Sequence, residues 1–188
     1  MGNIVQGRQV TMEELRQLAA DSKEKLLAAA QSVGRDGMLY LHWSAGHYHQ
    51  HYDDYHISLD DDGIIYVTTD DLSTVLAHTW HRNTGAVGIS LACGAFCTAN
   101  DLGAEPPTDC QIESMARVVA VLSGTLEIPI DVDHVMTHAE AADLDGYGPA
   151  TTCERWDLAI LHNGDEWMSG GNMLRSKAVW YQKNGVEV

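Results

Sequence analysis

Short apolar runs separated by turn residues constrain the fold of this chain more than any other feature. Four of them span residues 38–43, 55–59, 64–68 and 86–92. Runs of this length that contain β-branched and aromatic residues predict strands. The second and third runs flank Asp60-Asp61-Asp62-Gly63, which predicts a hairpin with glycine at the tight position of the turn.

Two longer segments carry apolar residues at helical spacing. The first spans 11–34 and begins with Thr11 and Glu14, the spacing of a capping box. The second follows the loop 101–109 and is predicted to end at Gly124, because glycine commonly stops a helix.

Weaker signals follow in the C-terminal third. A short strand at 132–136 is predicted to lead into 137–143, and regular structure is predicted to restart at 156–161. The tail, 164–188, shows only weak strand signals. Strands alternating with helices predict an α/β fold: a single domain over 1–188, with a central mixed β-sheet flanked by helices.

Acidic residues far outnumber basic ones. There are 27 Asp and Glu against 11 Lys and Arg, which gives a formal net charge of −16 at pH 7. This charge disfavours a nucleic-acid partner and an anionic membrane surface, since both need basic patches. No apolar run approaches the ~20 residues of a membrane span, and no secretory signal is visible. We therefore expect no membrane insertion and synthesis in a cytoplasm.

Three potential metal ligands fall at the ends of predicted elements. His42 ends an apolar strand, His138 lies in MTHAE, and Cys153 lies in TTCERWD. Two imidazoles and one thiolate suit Zn²⁺ and leave a fourth position open. Because the three residues lie far apart in sequence, their spacing alone does not distinguish ligands from ordinary core histidines.

Five sequence blocks in order resemble the type-2 N-acetylmuramoyl-L-alanine amidases, which include phage lysozyme-like amidases and peptidoglycan recognition proteins. The resemblance covers about residues 38–160. The blocks are LHWSAG (41–46), YHISLDDDGIIY (55–66), AHTWHRNTGAVGISL (77–91), MTHAE (136–140) and TTCERWDL (151–158).

The resemblance implies a zinc ion held by His42, His138 and Cys153. Asp157 is the alternative third ligand, although a buried carboxylate that caps a helix start or orients a ligand is the favoured interpretation of it. Cys153 lies four residues before Asp157, the spacing seen in family members that use cysteine as the ligand.

The resemblance also assigns roles around the metal. The implied catalytic residues are Tyr55, beside the reacting water; Glu140, acting through a metal ligand; and Arg155. The implied substrate-binding residues are His78, His81, Asn83 and Thr151. Asn83 has an alternative role in forming the turn before the strand.

Two positions depart from the family pattern. Many members carry a lysine two residues before the third ligand, and counting from Cys153 places Thr151 there. Others carry a glutamate where this chain has Ser90. Arg155, or the zinc alone, would then supply the missing positive charge.

The implied activity is zinc-dependent hydrolysis of the amide bond between N-acetylmuramic acid and L-alanine in bacterial peptidoglycan, in the setting of a phage or prophage endolysin. Two alternatives are a cytosolic amidase of muropeptide recycling and a non-catalytic peptidoglycan-binding module. A module that has lost catalysis usually lacks the third ligand, so a retained ligand set favours the enzyme.

His47, His49 and His51 form an alternating run. On a strand they would share one face and could bind metal. The favoured interpretation is a polar loop at the rim of the cleft, because the run lies between His42 and Tyr55.

Overall fold

Eight strands and four helices form residues 2–185, the part of the chain that the computed structural model describes. The strands are β1 (Ile4–Val5), β2 (Arg8–Val10), β3 (Met38–Trp43), β4 (His51–Tyr52), β5 (Ile57–Leu59), β6 (Ile65–Val67), β7 (Ala86–Leu91) and β8 (Val135–Thr137). The helices are α1 (Met12–Ser32), α2 (Asp109–Leu126), α3 (His138–Asp145) and α4 (Gly170–Asn184).

Six strands form one sheet in the order β2-β6-β5-β7-β3-β8, and β1 pairs with β4 in a separate small sheet. The strands β5, β7, β3 and β8 are parallel, whereas β6 and β2 join one edge in antiparallel pairing. Every residue of β3 and β7 is buried, as expected of parallel strands with both faces covered. The predicted α/β fold with a central mixed sheet is confirmed.

Side chains of β3 alternate between two apolar clusters on the two faces of the sheet. Leu39 and Leu41 join the large core that includes residues of α1, α2 and α4. Met38 and Tyr40 join a smaller cluster with Ala141 of α3. Because side chains at every second strand position share a face, His42 lies on the same face as Met38 and Tyr40, the face where α3 packs.

Helix α1 begins at the predicted cap. The hydroxyl of Thr11 accepts a hydrogen bond from the backbone of Glu14, and the Glu14 carboxylate accepts one from the backbone of Thr11. Helix α2 has the same arrangement at Thr108. The predicted stop at Gly124 is wrong, because α2 continues to Leu126, whose side chain is buried in the core.

Two predictions for the C-terminal third are wrong. The tail forms helix α4 instead of weak strands, because Leu174, Ala178 and Tyr181 recur at helical spacing and pack into the core. The tail residues 186–188 lie outside the described part. Residues 156–161 contain neither helix nor strand, although 157–161 are buried, and the backbone at Leu158 is left-handed.

Within residues 2–185, no helix is both long and apolar enough to cross a membrane.

Candidate metal centre

His42 and His138 lie side by side at the carboxyl ends of two neighbouring parallel strands. Leu41 of β3 pairs with Thr137 of β8, and a histidine directly follows each of these residues. The centroids of the two imidazole rings lie 4.7 Å apart. The carboxyl ends of parallel strands are where open α/β sheets bind ligands, so the topology places both imidazoles at the expected edge.

Asp157 completes a cluster with these two histidines. Its carboxylate lies 3.2 Å from Nδ1 of His42 and 3.2 Å from Nδ1 of His138. All three residues are buried, and one potential ligand atom from each lies within 4.8 Å of the others. Two imidazole nitrogens and a carboxylate oxygen form a donor set that suits zinc.

Cys153 is not brought into this cluster, which differs from the sequence-based choice of third ligand. Its side chain is exposed, its backbone has a φ of 57°, and its amide donates to the carbonyl of Gly148 at 2.9 Å. The chain therefore turns back on itself at Cys153 and reaches the histidines only four residues later. Asp157, the alternative from the sequence, occupies the third position.

Burial and mutual charge set the protonation states of the cluster. Burial alone would raise the pKa of Asp157, but the adjacent imidazoles of His138 and His42 hold it below its ordinary value. Burial lowers the pKa of His42 to about 4, against the opposing effect of Asp157. At neutral pH the cluster therefore contains an ionised carboxylate and a neutral His42, the forms that bind metal.

A second layer of hydrogen bonds orients His42. The Thr79 hydroxyl lies 3.3 Å from Nε2 of His42 and 3.0 Å from Nδ1 of His78. The backbone amide of Thr79 in turn donates to the Asn83 side chain at 2.8 Å. Asn83 therefore forms the turn that holds Thr79. The sequence did not identify Thr79 as part of the site, because no pattern distinguished its hydroxyl from those of the other serine and threonine residues.

His78 is buried beside the cluster, and its ring lies 5.4 Å from that of His42. Burial and the neighbouring histidines hold its pKa well below the ordinary value. Its Nε2 atom has no hydrogen-bond partner within the described residues. A Cβ atom at Gly88 would lie 2.6 Å from the His78 ring, so glycine in β7 makes room for this imidazole.

Two clefts meet at the cluster. The first, of about 390 Å³, is lined by Tyr55, Arg155 and Asp157 among others, and the second, of about 530 Å³, by Trp80, His81, Asn83 and Tyr147 among others. His78, His138 and Arg155 line both. Because the two clefts meet there, the cluster is accessible to an extended ligand from two directions.

Tyr55 lies beside His42 of the cluster. Its ring centroid is 5.1 Å from that of His42, and it lines the first cleft. Burial and the nearby carboxylate of Asp157 raise the pKa of its hydroxyl. Tyr55 therefore keeps its proton at neutral pH and can donate it in a hydrogen bond.

Arg155 is exposed, and its guanidinium donates to the Glu154 carbonyl at 3.0 Å. It lies at the mouth of both clefts, two residues before Asp157.

Two other residues from the sequence prediction hold the fold together. Glu140 caps α3 by accepting from the Thr137 amide at 2.8 Å, and both its oxygens bind the buried guanidinium of Arg175 at 2.8 Å. The Thr151 hydroxyl donates to the Gly148 carbonyl at 3.1 Å, within the turn. Neither residue lines the two clefts.

Comparison with known proteins gave one family match. A family model described as N-acetylmuramoyl-L-alanine amidase matches residues 20–156, which is more than half of the chain. The match ends one residue before Asp157. No curated protein and no solved structure matched the chain.

Proposed function

Since the chain belongs to the N-acetylmuramoyl-L-alanine amidase family, which acts on peptidoglycan, we propose that it is a zinc-dependent hydrolase of the bond between the lactyl group of N-acetylmuramic acid and L-alanine. The observation that carries the zinc dependence is the buried convergence of His42, His138 and Asp157 where two clefts meet.

The donor set fits a catalytic zinc site. Three protein ligands of the nitrogen and oxygen type are typical of such sites, which keep one further position open. The contact between Thr79 and Nε2 of His42 supports the fit, because a metal-binding imidazole usually donates its other N–H to a neighbour. Zinc bound there would supply Lewis-acid activation of the scissile carbonyl and of water.

Tyr55 and Arg155 are the residues proposed to stabilise charge during the reaction. The protonated hydroxyl of Tyr55 would donate to the carbonyl oxygen as negative charge develops on it. With Asp157 as the third ligand, the position two residues earlier is Arg155, where many family members have lysine. Thr151 then no longer occupies the position of the family lysine, because that assignment counted back from Cys153 instead of Asp157.

The two clefts suit a substrate that extends in two directions from the scissile bond. The glycan lies on one side of that bond and the stem peptide on the other. His78 and His138 lie at the junction, so they are proposed to contact the groups that flank the bond. Trp80, His81 and Tyr147 offer aromatic surface along the second cleft.

The reaction is tested by digesting purified peptidoglycan, labelling new amino termini and assaying reducing sugar in parallel. We expect new L-alanine termini, no new reducing ends, and loss of activity with a chelator that added zinc reverses. Wall clearing without alanine termini would contradict the assignment, because a glycosidase releases reducing ends and an endopeptidase releases other termini.

The biological setting stays a prediction from the resemblance. An endolysin must degrade the insoluble polymer, whereas a recycling amidase acts on soluble fragments. Comparing kcat/KM on intact walls with that on soluble disaccharide-peptides separates the two. Faster turnover of walls would support the endolysin.

A further inference from the structure

A second group of metal-ligating side chains lies away from the clefts. His49, Asp60 and Asp61 offer ligand atoms within 4.8 Å of one another, and His51 contacts the same carboxylate of Asp60. These four residues, named here the loop cluster, join the segment between β3 and β5 to the β5–β6 turn. None of them lines the clefts at the candidate metal centre.

Three separations within the loop cluster are close to those between the ligands of a single ion. Nδ1 of His49 lies 2.8 Å from Oδ2 of Asp60 and 3.6 Å from Oδ1 of Asp61. Nε2 of His51 lies 3.6 Å from the same Oδ2 of Asp60. Tetrahedral ligands about 2.1 Å from zinc lie roughly 3.4 Å from one another, so small movements of His49, Asp60 and Asp61 would let them share an ion. His51 lies beside Asp60 but outside this group of three, so its imidazole would have to approach the other two ligands.

Two atoms of the loop cluster lack the partners that burial normally demands. Nε2 of His51 is buried without a hydrogen bond, in a side chain that is only 8% exposed. Oδ1 of Asp61 is likewise buried and unpartnered. An unsatisfied buried polar atom is destabilising, and each of these atoms lies 3.6 Å from a ligand atom of another member of the cluster.

The surrounding structure holds the potential ligands in place. Oδ1 of Asp60 accepts from the backbone amides of His49 at 2.8 Å and Asp61 at 3.0 Å, which leaves Oδ2 directed at the two imidazoles. The His51 ring packs on Tyr66, with their centroids 4.3 Å apart. The side chain of His49 is 70% exposed, so an ion can reach the cluster from solvent.

We propose that His49, His51, Asp60 and Asp61 form a second metal site that binds a divalent transition-metal ion of the zinc type. Two imidazoles and two carboxylates favour such an ion over Mg²⁺ or Ca²⁺, which take oxygen ligands. The ion would cross-link the segment 44–55 to the β5–β6 turn. Since Tyr52 follows His51 and lines the first cleft, the site would stabilise the rim of that cleft.

The test is the zinc content of the full chain after stripping, incubation with excess Zn²⁺ and desalting. We expect two zinc ions per chain for the wild type and one for His49→Ala, with binding at the loop cluster weakened by at least about 100-fold. Asp61→Asn should also reduce the content to one. His47→Ala is the matched control, because His47 belongs to the same run but contacts Glu105 instead, and it should retain two.

Activity separates this site from the candidate metal centre. His49→Ala should keep amidase activity while losing one zinc, and Asp157→Ala should keep the zinc that His49→Ala loses. A single zinc that survives His49→Ala but not Asp157→Ala would overturn the second site and leave the proposed function intact. A single zinc with the reverse dependence would support the second site and overturn the zinc dependence of the function. Circular dichroism of each variant confirms the native fold.

Discussion

The two histidine–aspartate clusters differ in how the chain assembles them. The candidate metal centre combines His42, His138 and Asp157, which lie far apart in sequence and are all buried. The loop cluster combines His49 and His51 with Asp60 and Asp61, which lie within thirteen residues of one another and include an exposed imidazole. The first depends on the register of the sheet, whereas the second depends on one loop and one turn.

The two arrangements of similar donors suit different roles. At the candidate metal centre, the sheet fixes both imidazoles and Thr79 holds His42, so an open coordination position would face the clefts. In the loop cluster, His49, Asp60 and Asp61 offer donors around one point, His51 lies beside Asp60, and none of the four lines the clefts. A site with three fixed ligands suits catalysis, and a site closed by four suits stabilisation.

The largest effect is expected from a substitution that disrupts the candidate metal centre alone. Asp157→Ala should abolish zinc binding at the candidate metal centre and reduce hydrolysis of peptidoglycan to background, because it removes a ligand and the negative charge between two imidazoles. Metal analysis and the alanine-terminus assay measure both effects. Cys153→Ala is the matched control and should retain zinc and activity, since its thiol is exposed and outside the cluster. Loss of zinc in the cysteine variant instead would restore Cys153 as the ligand.

A substitution at Tyr55 should separate zinc binding from catalysis at the candidate metal centre. Tyr55→Phe should fold and retain zinc but lower kcat by roughly 10–1000-fold, the range for losing one proton or oxyanion donor. Tyr66→Phe is the control, because its ring packs on His51 in the loop cluster. An unchanged kcat for Tyr55→Phe would leave Tyr55 as a packing residue.

The third prediction concerns the hydroxyl of Thr79, which contacts His42 at the candidate metal centre. Thr79→Val keeps the shape of the side chain but removes the hydroxyl beside Nε2 of His42. We expect zinc affinity at the candidate metal centre to fall by about 10–100-fold, as is typical when the partner of a metal-binding histidine is removed. Thr79→Ser should restore the affinity. Equal zinc affinity in wild type and Thr79→Val would show that the sheet alone orients His42.

Local signals were enough to predict most of the framework. Capping at Thr11, the apolar run of β3 and the hairpin glycine at Gly63 depend on neighbouring residues, and each has the predicted conformation. The small β1–β4 sheet was not predicted, because its pairing joins residues almost fifty positions apart. Helix α4 was missed because its apolar stripe is narrow and interrupted by polar residues.

The site was only partly predictable, because it too depends on contacts between residues that lie far apart in sequence. The resemblance implied that His42 and His138 would share one site, and the topology does bring them together. The choice between Cys153 and Asp157 depended on where an irregular loop reverses, which the pattern of residues does not encode. The ion pair between Glu140 and Arg175 was also not predictable from the sequence, because it requires α4 to pack against α3 and β8.

The smallest expected effect lies at the mouth of the clefts, where Arg155 is exposed. Arg155→Ala should lower kcat by about tenfold or less, with zinc content unchanged, because solvent screens an exposed charge and weakens its interaction with developing negative charge. Arg155→Lys should recover most of the rate, since lysine carries the same positive charge. The measurement is kcat at low and high salt: the difference between wild type and Arg155→Ala should shrink as ionic strength rises. A loss of zinc in Arg155→Ala, or a rate deficit that lysine does not repair, would show that Arg155 positions the segment leading to Asp157 and does not act through its charge.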